Sequence, residues 1–373
     1  MQTNRARAAL IIVAALLFQL LAVSVPANAC GCGAMVPRSQ GQISVDDETS
    51  VLRWDGRTEQ IVMRLAVHGS AHDAAWIMPV PHRATVKLGD VDLFTDLSVA
   101  TAPEVRTRHY FWPRAGDWPF DGGAGDGAAA TPSAAGSGVG VVGRERLGPF
   151  DVARLTATDP DALADWLHDN GFELPARLDR ALRPYVDQGW EYVAVRLAPA
   201  TADHLPMTGS LDPLHLTFAS ERPVYPMRLS RLARTEQHLN LYVLAAHRME
   251  PRSAIGGAAP RMTFAGKVTN TYGPLAEFAT GTPYLTAYTQ DFPTPSTIDG
   301  DHELRRSAHD TAYRQVKYED ELLTVGPDIP VWLLTVLGAF AAVATTVILL
   351  VVRARRRRPV VPPAPVQAPP PLR

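Results

Sequence analysis

Val51-Leu52-Arg53-Trp54-Asp55-Gly56-Arg57-Thr58-Glu59-Gln60-Ile61-Val62-Met63-Arg64-Leu65-Ala66-Val67-His68 reads as two strands around a turn. Asp55-Gly56 between apolar runs is a strong two-residue hairpin signal. Beyond it Ile61, Met63, Leu65 and Val67 recur at period two, with Val62, Arg64, Ala66 and His68 on the other face. After the polar turn at Gly69-Ser70, residues 74–80 are nearly all apolar, which suits a central strand. Pro79 and Pro81 cannot donate ladder hydrogen bonds and are expected to end it.

Working outward, Val91, Phe94 and Leu97 stand three apart and predict a short amphipathic helix over 90–98. Residues 105–112 return to strand character. From 116 to 140 the chain is almost wholly Gly, Ala, Ser, Asp and Pro, a composition that cannot bury enough apolar surface to order itself. Residues 139–158 read as one or two strands about Gly148-Pro149. The clearest helix start follows, with Asp159 as N-cap and Pro160 at the first helical position. Its buried stripe is Leu163, Trp166 and Leu167, and Asn170-Gly171 ends it in a left-handed cap. A second helix over 175–186 should bury Leu178, Leu182 and Tyr185, with Pro184 bending or shortening it. Strands are expected at 192–197, 214–219, 227–232, 239–246 and 262–268. The fold class is α+β, sheet-rich, with a helical pair inserted midway.

Both ends of the chain are apolar. Arg5 and Arg7 precede the apolar run 8–25, and Ala27-Asn28-Ala29 supplies a small-x-small cleavage site, so residues 1–29 read as a signal peptide with Cys30 as the first mature residue. Residues 331–352 contain no charged side chain, enough at about 1.5 Å per residue to cross a hydrocarbon core of roughly 30 Å. Arg353, Arg355, Arg356, Arg357 and Arg358 follow at once and predict a cytoplasmic C-terminus, with Trp332 at the outer boundary. The expected organisation is thus signal peptide 1–29, extracytoplasmic region 30–328, transmembrane helix 329–352 and a basic, proline-rich tail 353–373. The polar segment 299–328 reads as a stalk.

The net charge of −2 conceals an acidic outer region. Without the two leader arginines and the six of the tail, 28 basic residues face 38 acidic ones. That balance argues against nucleic acid as a partner and against docking on anionic lipid. Cys30 and Cys32 are the only cysteines. Three roles stay open for them: a strained, easily reduced bond, part of a zinc site with further ligands, or lipid attachment at Cys30.

The chain resembles a bacterial family known as domain of unknown function 2330. The resemblance rests on the cysteine-containing start, Ala75-Trp76-Ile77-Met78-Pro79-Val80-Pro81, and the Leu163-Ala164-Asp165-Trp166-Leu167-His168-Asp169-Asn170-Gly171-Phe172 helix. Tyr192-Val193-Ala194-Val195-Arg196-Leu197 and the segments 214–228 and 241–248 extend it. It implies an exported, membrane-associated protein and carries over no catalytic residues.

The search for chemistry yields little. His68, His72 and Asp73 could in principle hold zinc, but the His-x3-His spacing spans a strand end and a turn rather than one helix face. No Gly-x-Ser-x-Gly elbow and no His-Glu-x-x-His motif occurs, and no cofactor is implied. Tyr110, Trp112 and Trp118 border the Gly-rich stretch and could form a ligand or glycan platform. The expected function is a non-enzymatic, single-pass type I binding module of the cell envelope, with the bilayer and an envelope polymer or protein as partners. The alternative is an envelope-acting hydrolase whose active site is dispersed in sequence.

Overall fold

The computed structural model describes residues 28–30, 33–38, 41–115, 117, 146–147, 150–155, 160–197, 208–269, 272–326 and 328–356. Residues 1–27, nearly all of the Gly- and Ala-rich stretch, Asp159 and the proline-rich tail lie outside the described residues. The chain divides into two compact units, one of residues 1–104 with 134–315, the other of 105–133 with 316–373.

The first unit is built on two sheets. The quoted hairpin forms as the Ile43–Trp54 and Thr58–Gly69 strands. Trp54 pairs with Glu59 across a turn in which the Asp55 carboxylate accepts from the Arg57 and Thr58 amides, and Gly56 sits at φ 103°. The turn therefore holds more residues than the two-residue reversal expected, because Asp55 caps it from its own side chain. The hairpin is the centre of a nine-stranded sheet whose main path runs Tyr313–Arg314, Arg261–Lys267, Tyr284–Phe292, Gln237–Ala245, hairpin, Leu214–Ala219 and Thr85–Leu88. Only the Gln237–Ala245 and Ile43–Trp54 pair is parallel; the other recorded pairs of this sheet are antiparallel.

The Ala74–Val80 strand is central to the second sheet, flanked by Gly33–Pro37 and Glu191–Leu197, and all seven of its residues are buried. It runs through Pro79 and stops at Val80, just before Pro81, so the second proline and not the first ends it. Pro79 pairs with Tyr192 on one side, while on the other the ladder with Gly33–Pro37 ends at Ile77, so no amide is demanded there. Trp76, Met78 and Val80 join Leu52, Ile61, Met63, Leu65 and Val67 of the hairpin in one core between the sheets. The alternate residues Ala75 and Ile77 instead meet the Pro160–Asp169 and Ala176–Asp187 helices through Leu163, Leu167, Leu178, Leu182 and Tyr185. Each large side chain so buried contributes about 1.5–3 kcal/mol.

The outer face of the nine-stranded sheet is partly roofed by the Asp92–Ala100 and Pro274–Phe278 helices, through Leu93, Phe94, Leu97 and Leu275 packed on Val51, Val62 and Leu244. Leu93, not Val91, provides the third apolar contact; Val91 is exposed.

Other departures have local causes. The Ala176–Asp187 helix continues past Pro184 for three residues. Residues 228–232, expected as strand, form a 3-10 helix, because the amides of Met227 and Arg228 both donate to the Asp301 carboxylate. The supposed stalk is not one over its first half. The His302–Arg306 strand pairs with Val224–Tyr225 and Met249–Pro251, and His302 and Leu304 are buried.

In the second unit the Glu104–Tyr110 and Val316–Leu322 strands pair, and a small Thr324–Val325 and Ile329–Pro330 ladder leads into the Val331–Arg356 helix. Among the described residues this is the one helix long and apolar enough to cross a membrane. Trp332 at its start is buried within the protein rather than presented outward.

Candidate functional site

Strand register brings a polar patch together on the outer face of the large sheet. Arg53 pairs with Gln60, Val62 with His215, and His215 with Lys87, so these side chains share one face across four strands. Where the two roofing helices stop, these residues line an open cleft of about 420 Å³, together with Leu88, Asp90, Glu277 and Phe278. The roof is held at both ends. Asp96 Oδ2 accepts from the Leu275 amide at 3.2 Å, and Arg53 Nη2 donates to the Thr280 carbonyl at 2.7 Å. Gly273 makes the first contact possible: it sits at φ 84°, and a Cβ there would lie 2.7 Å from Asp96 Oδ2.

His215 forms the floor. It is buried, its Nε2 lies 3.0 Å from Gln60 Oε1 and 3.5 Å from Thr217 Oγ1, and its ring meets Phe278 edge-on at 5.7 Å. Burial, then the Lys87 and Arg53 charges, push its pKa down to about 4, so it is neutral at pH 7. No described carboxylate hydrogen-bonds the imidazole to orient it as a general base. The cleft thus offers two cations, a neutral imidazole, an amide and two rim carboxylates, a set suited to holding a polar ligand.

The residues singled out from sequence fall elsewhere. His68 and His72 are exposed, and the Asp73 carboxylate is taken by Arg38 at 2.8 Å and Arg196 at 3.7 Å. Among the described residues no group of three His, Cys, Asp or Glu is placed to hold a metal ion. Ala29 and Cys30 lie in a short ladder, Asn28 to Met35, Ala29 to Ala34 and Cys30 to Gly33. Cleavage after Ala29 would keep the last pair and remove the first two. Cys32 lies outside the described residues, as do Trp118, Arg357 and Arg358. Arg353, Arg355 and Arg356 end the apolar helix.

Tyr110 is half-buried, donates to Asp117 at 2.7 Å and carries the Arg114 guanidinium 4.1 Å above its ring. It is a structural member of a network in which Arg108 and Arg114 both bind Asp320 and hold its carboxyl well below the usual range. Trp112 is 65% exposed and touches Phe111 edge-on. Replacing Trp112 with Ala should therefore change unfolding free energy by no more than about 0.5 kcal/mol. Chemical denaturation checks this, and a loss several times larger would make Trp112 a core residue.

Sequence reading missed the cleft and several buried polar groups. Glu48 and Ser50 point into the core between the sheets, where the Tyr225 hydroxyl donates to Glu48 and lies 2.6 Å from Ser50 Oγ. Glu59 is fully buried, accepts from the Val224 amide, and has its pKa pushed well up by burial.

Residues 26–305 match the family described as uncharacterized protein conserved in bacteria, domain of unknown function 2330. The chain belongs to this family. The match takes in the hairpin, both core sheets except the Tyr313–Arg314 edge strand, the helical pair and every residue that lines the cleft. No curated protein matches the chain. Among solved structures, the crystal structure of baculovirus P35 is similar over 74% of this chain and 98% of its own, at 10% identity and a TM-score of 0.31.

Proposed function

We propose that this family member is a single-pass protein of the cell membrane whose folded units lie outside the cytoplasm, and that it acts by binding a small polar ligand in the Arg53–His215–Lys87 cleft. One observation carries the ligand site: charged and polar side chains from four adjacent strands converge in one cleft of about 420 Å³, within the roughly 300–1,000 Å³ usual for small-molecule sites. The anchor is supported by the Val331–Arg356 helix and by the arginines that follow its apolar stretch. The acid excess of the outer region speaks against nucleic acid as a partner.

The hydrolase alternative has one observation in its favour, the 3.5 Å approach of Thr217 Oγ1 to His215 Nε2. Gln60 competes for the same nitrogen at 3.0 Å, which commits the imidazole to an amide rather than to a nucleophile. Binding is the better-supported reading.

Orientation is testable through the chain's three lysines, Lys87, Lys267 and Lys317, all on the N-terminal side of the apolar helix. A membrane-impermeant acylating reagent added to intact spheroplasts should modify all three, as read by mass spectrometry. Modification only after lysis would reverse the topology.

A further inference from the structure

The charges lining the cleft are segregated by element. Both cations come from sheet strands, Arg53 from Ile43–Trp54 and Lys87 from Thr85–Leu88. Both carboxylates come from the roof, Asp90 from the loop entering the Asp92–Ala100 helix and Glu277 from the Pro274–Phe278 helix. Opposite charges so close would ordinarily neutralise each other. Here they do not: among the described residues Arg53 ion-pairs with Asp55 alone, at 3.9 Å, and neither Lys87 nor Glu277 has an ion-pair partner. Asp90 spends one carboxylate oxygen on the Asp92 amide at 2.8 Å. Arg53 is positioned rather than mobile, since its side chain is 15% exposed and its Nη2 is fixed on Thr280. Two cations from the sheet strands and two carboxylates from the roof, none ion-paired with each other, therefore line one open volume together with His215, Gln60 and Phe278.

We propose that the cleft takes a zwitterionic amino carboxylate, a free amino acid or short peptide, with its carboxylate on Arg53 and Lys87 and its ammonium on Glu277 and Asp90. This inference rests on the cleft being the ligand site. A simple anion would satisfy the sheet side and leave Glu277 repelling it. A simple cation would do the reverse. Only a ligand bearing both charges completes both walls, and the guanidinium and ammonium provide the charge-assisted hydrogen bonds that favour a carboxylate.

The test uses the full-length chain in detergent micelles, titrated calorimetrically with glycylglycine, acetate and methylammonium. Glycylglycine should bind saturably, at least tenfold more tightly than either single-charge probe. Lys87→Ala and Glu277→Ala should each weaken it about tenfold while leaving the thermal midpoint unchanged, since both side chains are exposed. Glycylglycine should also slow acetylation of Lys87 relative to Lys267 and Lys317. If acetate binds as tightly as glycylglycine and Glu277→Ala is silent, the zwitterion is overturned while the cleft survives as an anion site. If no probe produces heat or protects Lys87, the proposal and the cleft reading fall together.

Discussion

Replacing Asp301 with Ala is expected to destabilise the folded chain by about 3–5 kcal/mol, the scale on which removal of one partner from a buried charged network is felt. Its Oδ1 accepts from the Tyr185 hydroxyl at 2.7 Å, the Met227 amide at 2.8 Å and the Arg228 amide at 2.9 Å. Its Oδ2 lies 3.7 Å from Arg228 Nε. Tyr185 is fully buried, so the truncation would strand a hydroxyl as well as two backbone donors that the 3-10 helix of Arg228–Leu232 does not satisfy internally. Asp301→Asn separates the contributions. It keeps an acceptor for the three donors but turns an NH2 donor, instead of a charged oxygen, toward Arg228, so its cost should be smaller, about 1 kcal/mol. Urea denaturation of the full-length chain decides it. A loss under about 1 kcal/mol in Asp301→Ala would mean that water replaces the carboxylate without penalty.

The same residue marks where sequence reading stopped working. The hairpin, the Ala74–Val80 strand and the helical pair were legible because periodicity and caps are local: Ile61, Met63, Leu65 and Val67 are buried as the period-two pattern requires, and Leu163, Leu167, Leu178, Leu182 and Tyr185 as the helical one does. Residues 227–232 look like a strand by composition. What makes them a 3-10 turn is a carboxylate more than seventy positions later, which no window of neighbouring residues contains. The cleft is hidden for the same reason. Arg53 and Gln60 could be paired from the hairpin alone, but His215 and Lys87 reach that row only through strand pairings across long stretches of chain. Conversely, the aromatic cluster that stood out in sequence is partly spent on structure, with Tyr110 fixed between Asp117 and Arg114.

His302→Leu should remove an acid sensitivity worth about 3 kcal/mol. The imidazole is buried against Leu239, Leu241, Tyr288 and Leu304, and burial pushes its pKa from 6.5 down to about 4. A histidine with a depressed folded pKa gives stability that is fully present above pH 6.5 and is lost as pH falls toward 4, at about 1.4 kcal/mol per pH unit. Leucine of similar bulk cannot charge, and it fits the apolar lining. Glu59 pulls the other way. Its folded pKa is raised well above 4.5, so its contribution is present at low pH and fades as pH rises through the range where the unfolded carboxyl ionises. In the native chain these slopes oppose each other between pH 4.5 and 6.5. Removing His302 should therefore leave a chain whose urea midpoint falls less on acidification than the parent's, whereas Glu59→Gln should make it fall more. His215, also pushed down to about 4, keeps some acid loss in the single variant and should yield a flatter profile still when replaced together with His302. Parallel pH profiles for parent and His302→Leu would show that the buried imidazole gains its proton without cost, and that burial is not what holds it neutral.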